Sequence, residues 1–164
     1  MWSVYAGFET NQDQSMRNAT LVYVFDGEKL LLGMKKKGFG AGRWNGIGGK
    51  INPGESPEQA AQREVREEIG VQIEVDKPLG SIIFRNSSKG DWTVHVFAVD
   101  RHEGQPRESE EMRPQWFPIG EMPYEQMWDD DKLWYEHLFA RQPFKAEFWF
   151  GPNEIVDRHE ITLL

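Results

Sequence analysis

Apolar residues fall along the chain in two distinct rhythms. Short runs rich in β-branched and aromatic residues occupy 19–25 (ATLVYVF) and 29–35 (KLLLGMK), parted by Asp26-Gly27, which predicts a hairpin. Further strands are predicted over 79–86 and 92–100, joined by a polar turn around Ser87-Ser88-Lys89-Gly90, and near 114–118. A closing pair is expected over 144–150 and 155–163, separated by Gly151-Pro152-Asn153. The second rhythm is helical. Ala61, Val65 and Ile69 recur every four residues, and Leu133, Trp134, His137 and Leu138 fall on one face of a helix over about 130–141. Ser56-Pro57-Glu58-Gln59 has the form of a capping box with proline at the first helical position, and Gly70 is suited to a left-handed stop. A glycine-rich loop over 37–45 leads into a short strand before that first helix. Strands interspersed with two helices predict an α/β (α+β mixed-sheet) fold, a mixed sheet sandwiched between helices. Residues 1–18 are polar and without period, so they are expected to form an N-terminal arm on a single domain over 19–164.

The helix between Ser56 and Gly70 carries the chemistry. Glu64, Glu67 and Glu68 stand at i, i+3 and i+4, so the three carboxylates project from one face, opposite the apolar stripe. Acids so close repel one another unless a cation lies between them. An oxygen-only cluster suits Mg²⁺, or Mn²⁺, rather than zinc. Arg63 lies four residues before Glu67 and can hold its carboxylate, while Glu55 is suited to support the cluster from behind. Upstream, Gly46-Ile47-Gly48-Gly49 allows close approach of the backbone, and a carbonyl there could complete a metal shell. A surface helix with an acidic face would leave the glycines and Arg63 unexplained. An enzyme handling a phosphate-rich substrate through divalent metal accounts for all of them.

Composition narrows the setting. A length of 164 residues suffices for one full core, and the absence of cysteine excludes a disulfide framework and a thiolate nucleophile. No apolar run reaches membrane-spanning length and the N-terminus has no signal-like pattern, so a cytoplasmic setting is expected. A net charge of −8 argues against a duplex nucleic-acid partner. Lys35-Lys36-Lys37 is a local exception, suited equally to a solvated turn or to phosphate. A monomer is expected.

The segment from Gly49 through Glu55, Arg63, Glu64, Val65, Glu67, Glu68 and Gly70 to Val71 resembles the Nudix box, the signature of hydrolases that cleave nucleoside diphosphates linked to another group. A more specific resemblance runs from about residue 19 to the C-terminus. LLLGMKK, the segment Gly38–Gly46, VHVF, Glu111-Met112-Arg113-Pro114 and Met127-Trp128-Asp129-Asp130-Asp131 resemble the oxidised-purine nucleoside triphosphatases of the Nudix family. That resemblance implies a Nudix fold, a nucleotide substrate, and hydrolysis of oxidised purine triphosphates to monophosphate and pyrophosphate. It implies that Asn45 bonds one purine edge, that Asp130 and Asp131 read the other, and that Trp128 stacks on the base between walls formed by Phe39 and Phe84. Thr20, Lys35, Ile47, Gly49 and Lys50 match positions that line the nucleotide. Gly48, Glu64, Glu67, Glu68 and Glu111 match the metal-binding set; Glu68 is the best candidate for the essential ligand, and Arg63 is expected to orient the acids.

The aspartate pair also makes sense by itself: two adjacent carboxylates in an aromatic pocket cannot both ionise cheaply, so one should keep a proton. The alternative role is capping of the second helix. Asp129 stands where the resemblance leads one to expect proline, which predicts a more mobile loop and a more negative field. Trp92 stands where a smaller methionine is expected, near the pocket mouth. A different Nudix substrate, such as ADP-ribose, a dinucleoside polyphosphate or an ordinary dNTP, remains the main alternative, and a non-catalytic nucleotide sensor a lesser one.

Overall fold

The computed structural model describes residues 16–164. Its strands are β1 (Met16–Asp26), β2 (Lys29–Lys35), β3 (Trp44–Asn45), β4 (Gln72–Ile73), β5 (Gly80–Ser87), β6 (Gly90–Val99), β7 (His102–Glu103), β8 (Met112–Pro118), β9 (Phe144–Phe150) and β10 (Val156–Leu163). Among the described residues, two α-helices, α1 (Pro57–Ile69) and α2 (Asp131–Phe139), complete the scaffold. The main sheet is mixed, in the order β10-β9-β5-β6-β1-β2-β3, with β8 also on β2. β1 pairs parallel with β6 from Met16 to Val24 and antiparallel with β2 at its far end.

Alternation along β1 sets the layers. Val22 and Val24 point to one face and pack with Ala61, Val65 and Ile69 of α1. Tyr23 and Phe25 point to the other and pack with Trp134, Tyr135 and Leu138 of α2. A strand buried on both faces must be apolar at consecutive positions, and Val22-Tyr23-Val24-Phe25 is. The mixed sheet between helices therefore forms as expected.

Three details differ from the sequence reading. Met16, Arg17 and Asn18, assigned to the arm, belong to β1 because β6 offers them a parallel partner; the rest of the arm lies outside the described residues. The short pair β4–β7 has too few residues to announce itself. α2 is shorter than 130–141, and Tyr135 is fully buried where Leu133 and His137 are only partly so. Among the described residues no helix is long and apolar enough to cross a membrane.

Candidate active site

The glycine segment before α1 is laid against the free edge of β1. Val22 N–H donates to Ile47 O at 2.7 Å, Ile47 N–H returns to Val22 O at 3.0 Å, and Thr20 N–H donates to Gly49 O at 2.9 Å. Gly48 is required by contact with backbone, and Gly49 lies close against the Glu64 carboxylate. A Cβ on Gly48 would stand 1.9 Å from Thr20 O, and one on Gly49 would stand 2.6 Å from the Glu64 carboxyl carbon. The close approach expected of this segment is thus first an approach to β1 and α1.

α1 is capped as its sequence requires. Ser56 Oγ accepts from Gln59 N–H, the Gln59 side chain accepts from Ser56 N–H, and Gly70 stops the helix at φ 72°. Arg63 is the hub of the acids. It grips Glu55 with two nitrogens at 2.7 and 2.8 Å, and donates to Glu64 at 2.8 Å, Glu67 at 3.3 Å and Lys50 O at 3.0 Å. The Arg63 guanidinium draws the Glu55 carboxyl down to about 2, aided by the Asn52 N–H.

Two adjoining cavities result. The smaller, about 280 Å³, is lined by Glu64, Glu68 and Glu111 together with Lys35, Gly48, Gly49, Lys50 and Met112. Burial pushes the Glu68 carboxyl up to about 6, and the charges of Glu64 and Glu111 add to this. Glu68 Oε2 is buried without a hydrogen-bond partner. A buried carboxylate oxygen facing two further acids is a site that a hard cation would relieve, and an all-oxygen donor set fits Mg²⁺ or Mn²⁺. Among the described residues no three acidic side chains are already converged as a cage. Glu67, expected among the ligands, lies outside both cavities with its side chain 59% exposed, because Arg63 draws it toward the helix flank.

The larger cavity, about 450 Å³, brings together Thr20, Lys35, Phe39, Asn45, Gly48, Gly49, Lys50, Phe84, Trp128, Asp130 and Asp131. Trp128 is braced by Phe39, with ring centres 5.0 Å apart, and by Arg43, whose guanidinium lies 4.1 Å from the ring centre. Asn45 Oδ1 accepts from Gly46 N–H at 2.8 Å and from Tyr23 OH at 3.3 Å. Its oxygen so occupied, the Asn45 NH₂ is the group left to meet a ligand.

Asp130 and Asp131 are both buried, and burial raises both carboxyls above the usual range. Asp131 rises further because the Asp130 charge adds to burial. Asp130 accepts from Trp134 Nε1 at 3.0 Å, whereas Asp131 Oδ2 has no partner. With both carboxyls raised by burial, the pair favours sharing a proton, and the unpartnered Asp131 Oδ2 is an oxygen suited to carry it. Asp130 occupies the N-cap position of α2, but its side chain makes no cap hydrogen bond there.

Some expectations divide. Lys35 lines both cavities, while Lys36 donates to Ser109 O at 2.7 Å and pairs with Glu108, steadying the loop that carries Glu111. Ile47, expected to touch substrate, is wholly buried beneath α1 and contributes only backbone. Asp129, whose position predicts a more mobile loop, is held by two hydrogen bonds: Val156 N–H donates at 2.9 Å and Lys132 at 2.7 Å. Trp92 does line the larger cavity, as do Arg17, Phe150 and Glu154, none of the last three foreseen. Tyr23, Tyr135 and Trp134, which hold Asn45 and Asp130, are not singled out as site residues by the sequence. Their polar tips were the available signal, since a buried tyrosine or tryptophan seeks a partner.

The sequence matches the NUDIX domain family over residues 15–138. It is 45% identical over 143 residues to the zebrafish (Danio rerio) oxidized purine nucleoside triphosphate hydrolase, covering 87% of this chain and 92% of that one. Against the mouse (Mus musculus) protein of the same name it is 43% identical over 138 residues, covering 84% and 88%. Among solved structures, the MutT protein of Bacillus halodurans superposes with a TM-score of 0.77 at 23% identity, covering 88% of this chain and 97% of that one, and so shares the fold. With its box folded into a metal-suited cleft and the family matched across most of its length, the chain belongs to the Nudix family.

Proposed function

We propose that this protein is an oxidised-purine nucleoside triphosphate diphosphatase, hydrolysing 8-oxo-dGTP and 2-hydroxy-dATP type substrates to the monophosphate and pyrophosphate. The observation that carries the reading is that the acid cleft and the aromatic cavity share a wall, formed by Lys35, Gly48, Gly49, Lys50 and Met112. A nucleotide with its base beside Trp128 can run its phosphates past Lys35 and Lys50 to Glu64 and Glu68. The zebrafish and mouse relatives act, by their names, on the same substrate class.

Glu64, Glu68 and Glu111 would hold a divalent cation. When bound, it neutralises phosphate charge and favours attack of water on phosphorus. The chain's own residues prepare that step. Arg63 fixes Glu64 and, through Glu55, the loop before α1. Lys35 and Lys50 bring positive charge to the phosphate path of an otherwise acidic protein. In the base cavity, protonated Asp131 donates while ionised Asp130 accepts, and Asn45 donates from the opposite side. Moving one proton between the two aspartates reverses their roles, so one pocket can serve both oxidised guanine and oxidised adenine.

The test is pyrophosphate release with Mg²⁺ from 8-oxo-dGTP, 2-hydroxy-dATP, methylated dGTP, dGTP and ADP-ribose, compared by kcat/KM. Preference for a modified purine triphosphate is expected. Turnover of ADP-ribose alone would overturn the account of the pocket.

A further inference from the structure

We propose that Asp129 is a positioning residue for purine recognition, clasping the Trp128–Asp131 loop to the start of β10. The inference rests on the purine reading of the larger cavity. Asp129 does not line that cavity, but the residues on either side of it, Trp128 and Asp130, do. Its Oδ2 accepts the Val156 N–H at 2.9 Å, and its Oδ1 accepts from Lys132 at 2.7 Å.

Val156 is opposite Phe150 in the β9–β10 register, and Phe150 lines the cavity. The turn between them carries Glu154, which lines the cavity as well and whose Oε1 accepts the Ser88 N–H at 3.1 Å from the β5–β6 turn. Asn153 and Glu154 stand at φ 60° and 57°, a backbone state that side chains resist and that surrounding contacts must hold. The C-terminal turn is thus tied to the β5–β6 turn and to the Trp128–Asp131 loop, both of which contribute to the cavity lining, and Asp129 supplies the tie to the loop bearing the acid pair. The other end of that loop is fixed separately, by the Trp44–Met127 bridge to β3. Losing the Asp129 tie removes the hold of β10 on the loop, which keeps the Trp44–Met127 bridge and the Asp130–Trp134 hydrogen bond. Trp128 and the acids can then move relative to Asn45, which weakens ground-state placement of the base without touching the phosphate chemistry.

The wild type, Asp129→Ala, Asp129→Asn and Lys132→Ala are compared for KM and kcat on the purine nucleotide the wild type turns over best. Asp129→Ala is expected to raise KM about tenfold, as for loss of one charge-assisted hydrogen bond, with kcat within about twofold. Asp129→Asn keeps an acceptor oxygen for Val156 and should stay within about threefold of wild type, while Lys132→Ala, which breaks only the ion pair, should match it. Unchanged KM in Asp129→Ala, or equal damage in Asp129→Asn or Lys132→Ala, would overturn the tether. Should Asp129→Ala not fold, Asp129→Glu carries the test. It retains charge but displaces the carboxylate from Val156, and a wild-type KM there would count against the proposal. Failure of the purine reading is distinguishable, because it appears in the wild type alone as no preference for modified over ordinary purines.

Discussion

Tyr23 donates its hydroxyl hydrogen to Asn45 Oδ1 across 3.3 Å while accepting one from Tyr135 at 3.2 Å, all from a site closed to solvent. This relay sets which end of the Asn45 amide faces the larger cavity. Replacing Tyr23 with Phe keeps the ring packing and frees that oxygen. We expect KM for the preferred purine nucleotide to rise about five- to tenfold with little change in kcat. An unaltered KM would mean that Gly46 N–H alone orients the amide.

Glu68 faces Glu64 and Glu111 in the acid cleft. Glu68→Gln is expected to lower kcat by roughly 10²- to 10⁴-fold, the range for loss of a general base or of a group needed to hold the metal. Thermal stability should hold or rise slightly, since a crowded buried charge is removed. Activity within tenfold of wild type, measured by pyrophosphate release, would exclude Glu68 from the chemistry.

Arg63 makes five hydrogen bonds, including two to Glu55. Lysine cannot reproduce that fork. Arg63→Lys should cost roughly 1–3 kcal/mol in urea unfolding and lower kcat by more than it changes KM, because the acids lose their frame. A variant matching wild type in both would show that α1 alone positions Glu64.

The aspartate pair predicts a pH dependence of stability. Both carboxyls are raised on folding, by burial above all, so the native state holds protons that the unfolded chain releases. Their stabilising contribution is complete below the ordinary aspartate value of 3.8 and is lost as the pH rises through the folded value, about 6 for Asp130. Between about pH 4 and pH 7 the wild-type Tm should therefore fall by roughly 5 °C more than that of Asp131→Asn. Parallel curves for the two proteins would show that the pair does not share a proton.

Gly48 admits no side chain, with Thr20 O 1.9 Å from where a Cβ would stand. Gly48→Ala should cost roughly 2–4 kcal/mol or prevent folding, since backbone rather than a flexible side chain must move. Gly120, with open space around it, serves as the control: Gly120→Ala should unfold at the wild-type urea concentration. Equal behaviour of the two variants would refute the contact argument.

Much of the scaffold was legible because it is local. The cap, the apolar stripe and the stop of α1 lie within one stretch of chain, and the strand runs carry their own period. The exceptions share a cause. Met16–Asn18 become strand only through β6, and Glu67 turns outward only because Arg63 also serves Glu55 and Glu64. Ile47 leaves the site because the core beneath α1 takes its side chain. Apart from Arg63 with Glu64 and Glu67 on one helix and Glu55 just before it, these partners lie far apart in the chain.

The sequence by itself determined the inventory and the local geometry: an acidic helix face, an arginine within reach, glycines before it, and an aspartate pair beside a tryptophan. Helix periodicity and capping act over a few residues, so neighbours along the chain suffice to set them. Only the tertiary structure decided which acids share a cleft, bringing Glu111 to Glu64 and Glu68, and which polar groups hold Asn45 and Asp130 in place. Those choices depend on how distant strands pack on β1 and on which buried groups find a partner, and both are settled only when the whole sheet closes.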